Sequence, residues 1–153
     1  MPIIHLEIIV AAPAEVVFDA SRNITVHADA DKKHNLRAIA GTTSGVINLN
    51  ETVTWSAKHF GFSLTHTSKI IAMESPHTFA DEMVKGMFHH WHHLHKFEPI
   101  EEGKTKMIDL VDYASPLWIL GKIVDAVFMK DYMTKILIEH NEYIKKVAEG
   151  RHE

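Results

Sequence analysis

The sequence predicts an α+β domain in which a curved antiparallel sheet of about six or seven strands wraps around a long C-terminal helix, with two short helices after the first strand. Residues 51–113 alternate in polarity and are interrupted by short turns, which is typical of an antiparallel meander. Residues 116–149 carry a helical pattern. A sheet must cover its apolar face, and this helix is the largest available cover. We therefore expect a space between sheet and helix.

Composition excludes several kinds of site and partner. The 153 residues predict a single domain, residues 1–153. The absence of cysteine excludes disulfides, thiolate catalysis and cysteine-ligated zinc. The formal charge of −4, without a basic tract, argues against a nucleic-acid partner. The sequence has neither a signal-peptide pattern nor a long uncharged apolar run, so we expect a cytoplasmic protein with no stable membrane insertion.

The N-terminal segment predicts a strand followed by two short helices. Residues 3–10 are apolar and β-rich. Pro13 and Glu15 then favour a helix to about Ala20, because proline suits the first helical turn and a carboxylate complements the helix dipole. The polar stretch at 22–34 predicts the second short helix.

The central segment predicts the remaining strands. Residues 41–50 are rich in glycine and asparagine and indicate a weak, turn-rich strand region. The stronger strand segments are 51–60, 62–74, 78–85, 87–98 and 105–113, and residues 99–103 read as a charged loop. Alternation in the first of these places four side chains on one face, which we expect to point inward: Val53, Trp55, Ala57 and His59.

The C-terminal helix is predicted to be interrupted. Ser115 can cap it, and Pro116 fits its first turn. Its apolar stripe changes face: Leu117, Leu120, Val124 and Phe128 share one side, whereas Met129, Met133, Ile136, Leu137, His140 and Ile144 lie nearly opposite. A straight amphipathic helix keeps one face, so we expect a kink or break near Val127–Asp131.

The chain has 13 histidines, five of them between His89 and His95. Strand alternation predicts that Trp91, His93, His95 and Phe97 point inward, and that His90, His92, Leu94 and Lys96 point to solvent. Side chains two residues apart on a strand lie roughly 7 Å apart, so His93 and His95 can reach one ligand or, with help from another strand, one metal ion.

Several interpretations of the inward histidines stay open. Structural pairing of His93 or His95 with an inward Asp81 or Asp109 is the commonest outcome of such an arrangement, because a buried carboxylate needs a partner. The same pairs can form the polar end of a binding site, or an acid/base site with His93, His95 and Asp109 as catalytic candidates. A metal site would use His59, His93 and His95. No nucleophile or phosphate-loop motif is present, and we predict no cofactor.

The element order resembles that of the helix-grip superfamily, which includes START domains, Bet v 1-like proteins and polyketide cyclases (SRPBCC). Several segments are more specifically similar to a bacterial subgroup of it: AGTTSG at 40–45, ETVTWSAKHFG at 51–61, FADEMVKG at 79–86, WHHLHKF at 91–97 and SPLWILG at 115–121. The resemblance implies a cavity for a small, largely apolar molecule. It names neither the ligand nor a reaction, because this fold supports many functions.

The sequence thus predicts a protein that binds an apolar molecule, lipid-like or polyketide-like, between the sheet and the C-terminal helix, with a His/Asp end orienting it. The alternative is a cyclase, dehydratase or hydrolase with a His–Asp acid/base pair in the same cavity. The predicted ligand-contacting residues are Trp55, His59, Phe79, Asp81, Met83, Trp91, His93, His95, Asp109, Tyr113, Leu120, Val124, Phe128 and Tyr132.

Overall fold

The computed structural model describes residues 3–115 and 128–150. The strands are β1 (Ile3–Val10), β2 (Arg37–Gly41), β3 (Thr52–His59), β4 (Phe62–Glu74), β5 (Thr78–Lys85), β6 (His90–Glu101) and β7 (Lys104–Ala114). The helices are α1 (Ala14–Ser21), α2 (Ile24–Ala30), a 3₁₀ turn (Lys32–His34) and α3 (Lys130–Ala148). Among these residues, no helix is long and apolar enough to cross a membrane.

The seven strands form one curved, open antiparallel sheet in the order β1-β7-β6-β5-β4-β3-β2. Consecutive strands from β2 to β7 are neighbours, as expected for a meander, and β1 closes the other edge by pairing with β7. The predicted α+β, helix-grip class is therefore confirmed. Three boundaries were wrong: β2 precedes the turn-rich region predicted at 41–50, β6 begins at His90 and not at residue 87, and it continues to Glu101 through the predicted charged loop.

Helix α3 lies against the sheet together with α1 and α2. The main core cluster contains α1 and sheet side chains, among them Val17, Phe18, Phe97 and Met107, and Ile144 of α3 packs into it. A second cluster joins Leu137 of α3 to strand side chains, including Ile4 and Tyr113. The stripe predicted for Met133 to Ile144 is thus the covering face of α3. Pro116, on which the predicted capping with Ser115 depends, and the stripe from Leu117 to Val124 lie outside the described residues. Of the predicted kink region Val127–Asp131, Val127 alone lies outside them; α3 begins within this region, at Lys130, and the kink itself stays a prediction.

A tight hairpin turn joins β3 to β4 and fixes the end of β3. Phe60 and Gly61 both have positive φ, 54° and 80°, as a two-residue type I′ turn requires. His59 therefore pairs with Phe62 as the last residue pair of the hairpin. A bulky residue seldom adopts this conformation, and here the Phe60 ring packs 4.8 Å from the Tyr132 ring and 5.6 Å from the Phe128 ring.

Candidate functional site

A cavity of about 470 Å³ lies between the concave face of the sheet and α3. Its wall is mostly apolar, with Trp55, Ile70 and Phe79 from the strands and Ile136 and Leu137 from the helix. The four β3 side chains predicted to point inward all line it. Six histidines do so as well: His27, His59, His66, His93, His95 and His140.

One polar region of the wall, here called the inner cluster, consists of Asp81, His93, His95, Asp109 and Asn141. Sheet register brings these side chains together, because Asp81 is paired with His93 and His95 with Asp109 across neighbouring strands. The hydrogen bonds run diagonally: His93 Nε2 lies 2.7 Å from Asp109 Oδ1, and His95 Nε2 lies 3.0 Å from Asp81 Oδ2. The predicted pairing of these histidines with these carboxylates is present.

The inner cluster continues into α3 and is stacked with aromatic rings. Asn141 Nδ2 donates a hydrogen bond of 2.7 Å to Asp109 Oδ2. The His95 ring is stacked between the Phe79 ring at 4.0 Å and the His93 ring at 3.7 Å. His93, His95, Asp109 and Asn141 are all buried, so the orientations of these groups are held by both packing and hydrogen bonds.

The protonation state of the inner cluster follows from these contacts. Burial alone would lower the pKa of His95, but hydrogen bonds to Asp109 and Asp81 outweigh it and raise that pKa to about 9. Burial would raise the pKa of Asp109, but the hydrogen bonds from His93 and His95 hold it well below its usual range. The pKa of Asp81 is likewise lowered, against the effect of burial, by the hydrogen bond from His95. At neutral pH His95 is therefore an imidazolium between two carboxylates.

Among the described residues, the group with metal-ligand geometry is Asp81, His93 and His95, whose nearest ligand atoms lie within 4.8 Å of one another. His59, a candidate metal ligand, is not in this group, because its Nδ1 faces the Tyr132 hydroxyl. Both nitrogens of His95 face carboxylates, with Nδ1 3.3 Å from Asp109 Oδ1. A metal ion would have to displace a strongly held proton from His95, which favours the ion pairs over metal binding.

A second polar region, here called the outer cluster, consists of Asp31, His34, His59 and Tyr132. The Tyr132 hydroxyl lies 2.7 Å from His59 Nδ1 and 3.2 Å from His34 Nε2. His34 Nδ1 lies 2.6 Å from Asp31 Oδ1. The other oxygen of Asp31 lies 3.6 Å from Nε2 of His140 on α3. Asp31, His59 and Tyr132 line the cavity.

The predicted ligand-contacting residues divide into three groups. Eight line the cavity: Trp55, His59, Phe79, Asp81, Trp91, His93, His95 and Tyr132. Four described residues do not: Met83, Asp109, Tyr113 and Phe128. Leu120 and Val124 lie outside the described residues. Whether any of these side chains contacts a ligand stays a prediction.

Three of the four that do not line the cavity are covered by neighbours, and the fourth, Phe128, is exposed. Asp109 lies behind His93 and His95, which occupy its oxygens together with Asn141. Tyr113 is fully buried in the second core cluster, which also contains Leu137, and Met83 packs against this cluster. Phe128 is 46% exposed and stacks on Tyr132. Facing the helix was therefore not sufficient for lining the cavity.

Three cavity histidines were not predicted as site residues. His66 lies on the same face of β4 as Ser68 and Ile70, and its alternation with them was an available signal. His140 belongs to the apolar stripe of α3 and could have been found there. His27 is on α2, where no sequence pattern indicated burial. Burial and the neighbouring His140 lower its pKa to about 4, so it is neutral, and its Nε2 lies 2.5 Å from the Ser21 carbonyl.

Comparison with known proteins identifies the fold. No protein-family model and no curated protein sequence matches the chain. Among solved structures, a protein from Thermus thermophilus is similar over 99% of this chain and 100% of its own, at 15% identity and a TM-score of 0.79. The Zhui aromatase/cyclase from Streptomyces sp. R1128 is similar over 95% of each chain, at 13% identity and a TM-score of 0.68.

A third structure is norcoclaurine synthase from Thalictrum flavum in complex with dopamine and hydroxybenzaldehyde. It is similar over 99% of this chain and 88% of its own, at 15% identity and a TM-score of 0.71. Identities this low carry the fold and no activity. The seven-stranded curved sheet and the C-terminal helix are shared nearly end to end with these proteins, so this chain has the START/Bet v 1-like helix-grip fold.

Proposed function

We propose that the protein binds a small, largely apolar molecule, lipid-like or polyketide-like, in the cavity between the sheet and α3. The observation that carries this proposal is the cavity itself, with its volume of about 470 Å³ and its apolar wall. Ligand pockets commonly have volumes of about 300–1,000 Å³ and combine an apolar wall with a few fixed polar groups. The inner cluster supplies such groups here.

The inner cluster orients the ligand through His93. Nε2 of His93 is bound to Asp109, whereas its Nδ1 has no hydrogen bond to any described residue. His93 lines the cavity, so this nitrogen is available to a polar atom of the ligand. His95 and Asp109 are saturated by each other, Asp81 and Asn141, and they hold the His93 ring in place.

The nature of the ligand is supported by what the similar structures contain. The Thalictrum flavum synthase was solved with dopamine and hydroxybenzaldehyde, and the Streptomyces protein is an aromatase/cyclase. Dopamine and hydroxybenzaldehyde are small aromatic molecules with polar substituents. The apolar wall and aromatic side chains of this cavity suit the same kind of molecule.

The test is a ligand screen with a cavity-filling variant. Native mass spectrometry of the untagged protein and thermal shift with lipid-like and polyketide-like compounds should reveal binding, and the fluorescent probe N-phenyl-1-naphthylamine should bind with enhanced emission. Ala57→Phe inserts a ring where Ala57 lines the cavity and should abolish probe binding. Lys58→Phe, exposed on the same strand, should not. If no compound binds, or if both variants bind the probe as wild type does, the proposal is wrong.

A second candidate function is an acid/base enzyme of the cyclase, dehydratase or hydrolase type. The observation that favours it is the His93–Asp109 pair, in which a buried carboxylate orients an imidazole whose other nitrogen is available in the cavity. A substrate of one of these classes should be turned over by wild type, and His93→Ala or Asp109→Asn should abolish turnover while the variants remain folded. Wild-type rates in either variant contradict this assignment.

A further inference from the structure

The outer cluster contains a continuous chain of hydrogen-bonding groups that the binding of an apolar molecule does not require. It runs from Asp31 through His34 and Tyr132 to His59 in three contacts of 2.6, 3.2 and 2.7 Å. Three different parts of the fold contribute: the residues around the 3₁₀ turn, the last residue of β3 and the first turn of α3. We propose that this chain is a proton relay that accepts the proton of a phenolic or enolic hydroxyl bound in the cavity.

The direction of the relay follows from the chemistry of its first member. An ionised carboxylate only accepts hydrogen bonds, so His34 Nδ1 must donate to Asp31. When this is the single proton on the His34 ring, Nε2 is an acceptor and the Tyr132 hydroxyl donates to it. The Tyr132 oxygen in turn accepts from His59 Nδ1–H. This leaves the lone pair of His59 Nε2 unused by any described residue, at the cavity wall.

The charge states of the members agree with this direction. Burial opposes ionisation of Asp31, but the His140 imidazole 3.6 Å away and the hydrogen bond from His34 outweigh it, and the pKa of Asp31 is lowered. Burial and the charge of Asp31 raise the pKa of Tyr132, so its hydroxyl stays protonated. Burial and the neighbouring His34 lower the pKa of His59, so His59 is a neutral base at pH 7.

The relay moves three protons by one step each and conserves charge, and the proton between His34 and Asp31 stays on His34. The O–H bond of the ligand breaks and its proton forms a bond with His59 Nε2. The proton on His59 Nδ1 passes to the Tyr132 oxygen, and the Tyr132 proton passes to His34 Nε2. The products are a ligand oxyanion and an imidazolium at His34 beside the Asp31 carboxylate, with His59 and Tyr132 neutral again. The positive charge ends where a carboxylate already compensates it.

Contacts between aromatic rings hold the side chains of the relay in position. The His34 and His59 rings lie 4.5 Å apart, and the Phe60 and Phe128 rings flank Tyr132 at 4.8 and 5.6 Å. Phe60 takes its positive φ in the hairpin turn and so packs on Tyr132. A misplaced Tyr132 hydroxyl would break both central hydrogen bonds, so these rings act as positioning groups.

The relay also defines the shape of the ligand, and this step rests on the proposed function. Tyr132 and Asn141 are nine residues apart on α3, which corresponds to about 13 Å along the helix axis. The outer cluster lies near the first of these residues and the inner cluster near the second. The ligand class is therefore an elongated apolar molecule with an acidic hydroxyl directed to His59 and a second polar group directed to His93.

The test uses 4-nitrophenol, whose neutral and ionised forms have different absorption bands, and its methyl ether, 4-nitroanisole, which has no proton to give. Binding of each is measured by displacement of N-phenyl-1-naphthylamine, and the ionised fraction of bound nitrophenol is measured by absorbance against pH. In wild type we expect binding to lower the pKa of the nitrophenol by about one unit, a tenfold change in its ionisation constant.

Three variants separate the relay from the cavity. Tyr132→Phe keeps the ring and removes the hydroxyl, and His59→Gln removes the accepting nitrogen; both should leave the pKa of bound nitrophenol near its solution value. The affinity of each variant for 4-nitroanisole is measured alongside, so that any change in the cavity itself is recorded separately. Tyr143→Phe on the same helix should behave as wild type. His34→Gln, checked by circular dichroism, provides a second interruption if Tyr132→Phe is poorly folded.

The outcomes distinguish the two proposals. If 4-nitroanisole binds and the nitrophenol pKa is unchanged in wild type, the relay is wrong and the binding function stands. If the pKa is lowered equally in wild type and Tyr132→Phe, His59 acts alone and the relay is again wrong. If neither compound nor the probe binds, both proposals are wrong. The relay is supported if the nitrophenol pKa is lowered in wild type and in Tyr143→Phe but not in Tyr132→Phe or His59→Gln.

Discussion

The inner and outer clusters use the same residue types in different surroundings. In the inner cluster, two histidines and a carboxylate come from adjacent strands, are buried, and have nearly every polar atom occupied by another member. In the outer cluster, the residues come from a turn, a strand end and a helix start, and His59 and Tyr132 are only partly buried. Their hydrogen bonds form an open chain that ends at the cavity.

This difference indicates that the two clusters have different roles, the inner cluster in stability and the outer cluster in its effect on the ligand. Buried charges must be paired, so the inner cluster stabilises the fold and fixes one ring, His93, toward the cavity. In the outer cluster Asp31 is buried, but His59 and Tyr132 are only partly buried, so these two groups can exchange protons without leaving a buried charge unpaired. We therefore expect changes in the inner cluster to affect stability first and changes in the outer cluster to affect the ligand first. Four measurements test this expectation.

The largest expected effect is that of Asp109→Ala. It removes the acceptor of two hydrogen bonds, from His93 and Asn141, and leaves the charge of His95 with one carboxylate partner in place of two. Loss of one partner of a buried ion pair costs about 3–5 kcal/mol, so we expect a decrease of that size in the free energy of unfolding in urea. Asp112→Asn, on the same strand but with a 43% exposed side chain, is the control and should change it by less than about 0.5 kcal/mol. Similar losses in the two variants would refute the stabilising role of the inner cluster.

The next effect is a pH dependence of stability that belongs to the inner cluster. The pKa of His95 rises from 6.5 to about 9 on folding, so its contribution is fully present below pH 6.5 and is lost as the pH rises through 9. The corresponding decrease in the free energy of unfolding is about 3 kcal/mol. Urea denaturation between pH 6 and about 9.5 should show this decrease in wild type and in the outer-cluster variant His59→Gln, and should show much less of it in His95→Gln. A profile unchanged by His95→Gln means that another group is responsible.

A smaller effect is expected for Asn141→Ala, which removes the link between α3 and the inner cluster. Asp109 Oδ2 then lacks its donor in a buried site, at a cost of about 1–3 kcal/mol in the free energy of unfolding. Glu142→Ala, the next residue on α3 and exposed, provides the baseline in the same urea titrations. Equal stability of the two variants would show that α3 is held by its apolar contacts alone.

The smallest effect on stability is expected for Tyr132→Phe. The hydroxyl is partly exposed and both rings that flank Tyr132 keep their contacts, so the thermal unfolding of this variant should reflect a loss of about 0.5–1.5 kcal/mol at most. Its ligand-ionisation behaviour should nevertheless be lost. A loss of stability as large as that of Asp109→Ala would mean that the outer cluster is structural and would remove the distinction between the two clusters.

Much of the fold and part of the site could be predicted from the sequence, because period-two alternation fixes which side chains share a face. It correctly placed His93 and His95 opposite His92 and Lys96, and grouped Val53, Trp55, Ala57 and His59. Alternation does not indicate, however, how deeply a side chain on the inward face is buried beneath its neighbours. It could not distinguish Asp81, which reaches the cavity wall, from Asp109, which lies behind two rings.

The outer cluster was largely beyond sequence reasoning. His34 and Asp31 lie in a stretch that reads as a charged surface helix, and neither was a site candidate. They meet Tyr132 because residues 98 positions apart are brought together when α3 packs beside the 3₁₀ turn. No local pattern encodes that contact, since it depends on the curvature of the sheet and on where α3 crosses it.

The sequence by itself therefore determined the order of elements, the antiparallel meander, the covering helix and the inward face of β6, because these depend on local periodicity and turn residues. The tertiary structure alone decided which inward groups border empty space, which carboxylate pairs with which histidine, and that a second hydrogen-bonded chain ends at the cavity. These features depend on diagonal contacts between strands and on distances between elements that are remote in sequence. Four of the 13 histidines, His34, His59, His93 and His95, are thus gathered into two clusters only when the sheet closes around α3.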